Sequence, residues 1–198
     1  MPTQLTASAR VFRELVRLLA ARLARTGYGK LARFASIAIA VGFVATVIVE
    51  RSAGPMAGSR LQASAARTSL WLVGLAVALA ASHQRSIADR RDGLELLADM
   101  RGLGGVNLIV SRAAAAFWVS ARLMLVPALA VGLASIAASG SLHAAADGGL
   151  ALAAVLLFVL AVSLVLPTLG AVFESLAPKR GRTLLVAVLI VSAAAPRS

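Results

Sequence analysis

The residues in this chain that could do chemistry are few, and most lie in one place. The densest cluster is Asp89-Arg90-Arg91-Asp92-Gly93-Leu94-Glu95-Leu96-Leu97, inside a charged stretch over 83–101. Asp89, Arg90, Asp92 and Glu95 offer charge pairs to a partner, while Leu94, Leu97 and Met100 offer an apolar edge. Ser86 and Asp89 have the spacing of a capping box, with Asp in place of the usual Glu or Gln. Gly93 either interrupts the helix or lets a neighbour approach closely. Outside this cluster, Arg112 and Arg122 interrupt the first half of the third apolar run, and Glu174 lies beside the end of the fourth. An unpaired charge there is costly, so Arg122 must face a polar lumen or snorkel to an interface. Glu174 is expected near Lys179 and Arg180, and is the one candidate for an intramembrane acid.

No catalytic constellation accompanies these groups. The sequence has no G-x-x-x-x-G-K-[ST] phosphate loop; Gly102-x-Gly104-Gly105 lacks the lysine and reads as a helix break. It has no His/Glu metal motif and no G-x-S-x-G elbow. With no cysteine, disulfides, thiolate metal sites and Cys nucleophiles are excluded. His83 and His143 lie far apart beside span ends and read as solvated rather than as a metal pair. The expectation is a chain that is not an enzyme and carries no cofactor or metal of its own.

The elements that must position these residues are apolar helices. The chain is 60% hydrophobic and only 14% charged, against about a quarter charged in a soluble domain. Its apolar residues come in long runs rather than alternating with polar ones. Ala, Leu and Val dominate, which suits helices packed through small residues in lipid. The net charge of +12 fits either nucleic acid or an anionic membrane face. The arginines cluster at the ends of apolar runs and no nucleic-acid motif accompanies them, so the lipid bilayer is the expected partner and nucleic acid is not.

The expected fold is all-α: a polytopic bundle of about five hydrophobic helices behind an N-terminal amphipathic helix in residues 1–30. Over 8–26, Phe12, Leu15, Val16, Leu19 and Leu23 share one helical face, and Arg10, Arg13, Glu14, Arg17 and Arg25 the other. Such a helix lies in the headgroup layer or packs on a core. Its Arg-rich, acid-poor character also fits a transit peptide. Spans are expected over about 31–49, 68–82, 113–138, 150–169 and 183–196, together forming one transmembrane domain over 31–198. Residues 50–67 read as a loop or short interfacial helix, and Trp71 as an interfacial anchor. Pro127 interrupts the third run, and Pro167 is expected to kink or end the fourth. The fifth run is about 13 residues, short of the roughly 20 that cross a bilayer. Basic residues in the N-terminal helix, in 84–101 and in 179–182 place all three on the cytoplasmic side, with the N-terminus inside.

At the 89–97 cluster the chain resembles the permease subunits of type-2 ABC exporters. In that family the loop after the second span carries an acid, a Gly four positions on, then Leu/Glu and paired aliphatics; here the stretch after Gly93 is about one residue tighter. The run from Trp71 to Leu97 is most similar to the haem-exporter-type permease of cytochrome c maturation. The stretch from Gly170 to Leu185 resembles the family's turn between fourth and fifth spans. The resemblance implies that residues 86–101 form a cytoplasmic coupling helix seated on a separate nucleotide-binding ATPase chain, which would hold ATP and Mg. It implies a bacterial cytoplasmic membrane, and a second permease copy or related chain to complete the path. The family continues to a sixth span, whereas this chain stops at Ser198, so that span is expected to be lacking or supplied by another chain. A scaffold or assembly subunit of a larger membrane complex is the alternative; a small secondary transporter would instead be expected to carry internal repeats or intramembrane acids.

Overall fold

A computed structural model of the chain describes residues 2–50, 55–82, 91–93, 96, 100, 105–177 and 180–194. Among these the regular structure is helical throughout. The first helix, α1 (Pro2–Ala24), turns at Arg25-Thr26 into α2 (Gly27–Val49). Thr26 makes the elbow: its hydroxyl donates to the Leu23 carbonyl at 2.7 Å and accepts from the Gly29 amide at 2.9 Å. One side chain thereby satisfies an orphan acceptor of α1 and an orphan donor of α2. Gly29 is required by closeness: a Cβ there would stand 2.4 Å from the Leu23 oxygen and 2.9 Å from that of Ala24.

The next helix starts at Pro55, earlier than its apolar body alone implies. It runs as α3 (Pro55–Ser69), through a π-helical stretch Leu70–Gly74, into α4 (Leu75–Ala81). The expected loop over 50–67 is thus largely helix. Gln62 and Ala65 face inward, while Arg60 and Arg67 face out. Trp71 consequently falls mid-helix, exposed on the outer surface, rather than at a span end. At the π stretch the Leu75 amide reaches the Leu70 carbonyl, widening the turn where Val73 and Gly74 pack against the bundle.

Two long helices complete the core. α5 (Gly105–Ala138) and α6 (Leu142–Leu176) are antiparallel and packed along their length. Ser141 caps α6 by accepting from the Ala144 amide at 3.2 Å. Pro167 does not end α6, which continues to Leu176. At 34 and 35 residues each is about 50 Å long, longer than the ~30 Å hydrocarbon layer. A last helix, α7 (Gly181–Ala194), is 14 residues long. Among the described residues, four helices are long and apolar enough to cross a membrane: Gly27–Val49, Gly58–Ala81, Val106–Ala138 and Leu142–Leu176. This is the architecture of an integral membrane protein, with most of the apolar surface turned outward, as lipid requires.

Small residues and serines fill the interior: Ala32, Ala76, Ala78, Ala115, Ala116, Ser111, Ser120 and Ser163 are all buried. Without water in the hydrocarbon, each backbone group needs a protein partner. Pro127 has no amide hydrogen, so the Leu123 carbonyl four residues earlier lacks its helical donor. Ser36 of α2 supplies one, its hydroxyl donating to that carbonyl at 2.7 Å. Ser36→Ala is therefore expected to cost about 1–3 kcal/mol, the cost of an orphaned buried acceptor. Pro127→Ala, which restores the amide, should shrink that cost in the double variant; unfolding titrations in mixed micelles measure both.

Candidate functional site at the basic end of the bundle

The helix order fixes which ends lie together. The elbow, the end of α4, the start of α5, the end of α6 and the start of α7 share one end of the bundle, because successive long helices alternate in direction. Arg22, Arg25, Lys30, Arg33, Arg112 and Arg180 belong to helices or turns at this end. The opposite end carries Arg60 on α3 and the Ser139–Ser141 turn.

At the basic end, the C-terminal half of α1 packs on the first half of α5. Leu19 and Leu23 are buried there, with Leu15 and Val16 packed against the same core. Arg10, Arg13 and Arg17 face away and are exposed, and Phe12 is half-buried. At least the second half of the apolar face expected for this helix is covered by protein rather than left for lipid.

Between α1, the end of α4, α5 and α6 lies a small cleft of about 30 Å³. Leu19, Ala81, Ala116 and Ala171 form its apolar walls, and Arg22 and Arg112 its polar groups. Arg112 is 8% exposed, and its Nη1 donates to Ser175 Oγ at 3.5 Å. Glu174, one residue earlier on α6, is fully buried. Arg22 Nη1 contacts Asp92 Oδ2 at 2.8 Å, with both side chains partly exposed. Asp92 sits in a turn after Arg91, and Gly93 follows with φ of 69°. A left-handed backbone at that position closes a helical turn and favours glycine, which agrees with the interruption expected there.

Of the coupling residues expected from sequence, Asp92 and Gly93 are thus placed, and Asp92 is joined to α1. Asp89, Arg90, Leu94, Glu95 and Leu97 lie outside the described residues, as do Lys179 and the Ser86 cap. Arg122 is exposed on the outside of α5, next to Leu123 and hence level with Ser36. That is about 13 Å along α2 from Gly27. Arg22 and Arg112 were not singled out by sequence. Arg112 read as a break in an apolar run; its role depends on Ser175, 63 positions away. Among the described residues no group of three or more His, Asp or Glu is placed to hold a metal ion.

Comparison of the chain with protein-family models, with curated proteins and with solved structures found no match in any of the three.

Proposed function

We propose that this chain is the transmembrane permease subunit of an ATP-driven ABC transporter, coupled to a separate ATPase chain through its 86–101 segment at the cytoplasmic end. The observation that carries the proposal is the Arg22–Asp92 ion pair. It ties a charged turn between two apolar helices to α1, whose other face packs along α5. A force applied to the 91–93 turn by a soluble partner would pass to the elbow and to α5. The alternation of a basic with a poorly charged end supports a cytoplasmic N-terminus in a bacterial inner membrane. α1 then lies at the headgroup layer, with Arg10, Arg13 and Arg17 toward lipid phosphates.

In this mechanism ATP binding closes two partner ATPase subunits. Each pulls on one 86–101 segment, and the paired permeases alternate between inward and outward openings, completing the path together. Export is the direction implied by the family resemblance. The alternative is a scaffold or assembly subunit of a larger membrane complex, which would bind no ATPase.

Purification of the full chain in mild detergent separates the two. The transporter proposal expects a nucleotide-binding subunit to co-purify with ATPase activity. The Asp92→Lys/Glu95→Lys variant is expected to lower that activity at least about tenfold, since like charges set against a docking surface cost several kcal/mol. A chain that purifies without an ATPase, or a variant complex that assembles and hydrolyses ATP normally, overturns the proposal.

A further inference from the structure

We propose that the bundle carries a hinge at one height, where the α3–α4 helix, α5 and α6 are each interrupted, and that the halves of these helices away from the basic end swing about it as one body against the unbroken α2. Such a hinge is independent of the transporter proposal, since it concerns only how the bundle bends.

The three interruptions coincide. Helices kink at prolines and at π-helical turns. α5 holds Pro127 and α6 holds Pro167, both fully buried. The helix made of α3 and α4 is widened at Leu70–Gly74. All three meet around the Met124 side chain. A Cβ on Gly74 would stand 3.5 Å from Met124 Sδ and 3.7 Å from Leu166 Cδ2, beside Pro167. Pro127 lies less than one turn along α5 from Met124. Interruptions at different heights would bend each helix against its neighbours; at one height the bends act together.

The joint is soft. Met124 is fully buried, and Ser120 and Ser163 each donate to its sulfur at 3.7 Å. A thioether is a weak acceptor on an unbranched, adaptable side chain, so these central contacts yield at little cost. Pro167 has no amide for the Ser163 carbonyl. Thr168 turns its hydroxyl back onto the Leu164 and Val165 carbonyls, an arrangement that bends helices. Ser69, at the start of the widened turn, is 1% exposed, and its hydroxyl has no hydrogen-bond partner among the described residues. A buried hydroxyl left unpaired is costly, so a rearranged turn that pairs it offsets part of the cost of bending.

The parts on either side are stiff. Toward the basic end, Gly170 of α6 meets the Ala78 carbonyl of α4, and Arg112 of α5 bonds to Ser175 of α6. Beyond the hinge, Gly58 of α3 faces Ser135 of α5, and Gln62 Nε2 donates to the Gly148 carbonyl of α6 at 3.4 Å. α2 has neither proline nor widened turn, and is bonded to α5 at the hinge through Ser36 and the Leu123 carbonyl. It is the strut against which the far halves move. α5 rises about 21 Å from Met124 to Ala138, so a kink of about 20° carries its end roughly 7 Å sideways.

The chain has no cysteine, so spin-label pairs can be placed without removing a native residue. In lipid nanodiscs, double electron–electron resonance would follow two pairs at exposed positions. Ile48→Cys with Ala146→Cys reads from α2 to the far half of α6; Ala63→Cys with Ala146→Cys reads within the far body. The first pair is expected to show two distances several ångström apart, and the second pair one. Pro127→Ala/Pro167→Ala should collapse the first pair to a single distance and leave the second unchanged. The proposal is overturned if the first pair, with both prolines in place, gives one distance as narrow as the second, a result that needs no proline variant to fold. It is equally overturned if two distances persist in the folded double-alanine variant, which would put the motion elsewhere. A split Ala63–Ala146 distance would also overturn it, because the far halves would not be moving as one body.

Discussion

Arg112→Ala is expected to destabilise the bundle by about 3–5 kcal/mol, the cost of leaving one buried charge without its opposite. Among the described residues, Arg112 and Glu174 are the charged side chains that are buried, at 8% and 0% exposure. They carry opposite signs and approach the same place, since Arg112 bonds to Ser175, the residue after Glu174. A buried charge survives only when compensated, so the two should fall together. Glu174→Ala should cost a similar amount. Replacing both by methionine should recover most of the loss, because an apolar pair of similar volume escapes both desolvation costs. Unfolding titrations in mixed micelles of the wild type, the two single methionine variants and the double methionine variant give the interaction term directly. Single effects that simply add would mean that the two charges are balanced separately, and the compensation argument would fail.

Gly170→Ala is expected to cost about 1–3 kcal/mol through overpacking. The added Cβ would stand 2.7 Å from the Ala78 carbonyl oxygen and 3.4 Å from its carbon. Both are backbone atoms, so no rotamer change can clear them and α4 must move away from α6. Ala78 and its neighbour Val77 are fully buried, so that movement opens a gap as well as a clash. Gly42→Ala is the control. It lies in α2 with nothing within 4 Å of the added carbon, and should be neutral or stabilising by up to about 1 kcal/mol from helix propensity. Equal effects at the two positions would contradict the close approach of α4 and α6.

The transmembrane character was legible because the hydrocarbon sets a length scale that local composition reports. The apolar bodies ending at Val49 and Ala138 stand out without any knowledge of packing. The start of α3 was not legible. Gly58, Ser59, Arg60 and Gln62 look like loop residues, yet Gln62 and Ala65 turn inward and the arginines face out. Pro167 was read as a kink or an end because a proline removes one hydrogen bond, yet α6 runs past it to Leu176. At the basic end, Asp92 and Glu174 drew notice for their charge. Arg22 did not, being one arginine among several on an amphipathic helix, and its distinction arises only where α1 meets the 91–93 turn. Gly170 gave no signal of its own, since the atom that excludes a side chain there belongs to a residue more than ninety positions away.

The Thr26 elbow has a kinematic consequence. Two hydrogen bonds from one hydroxyl and a backbone contact at Gly29 leave the joint between α1 and α2 without slack. The two helices therefore share their degrees of freedom. α1 cannot sink, rise or roll without tilting α2 by the same angle, and α2 is bolted to the middle of α5 at the Ser36–Leu123 bond. A small rotation at the membrane surface is thereby delivered to the neighbourhood of Pro127, inside α5.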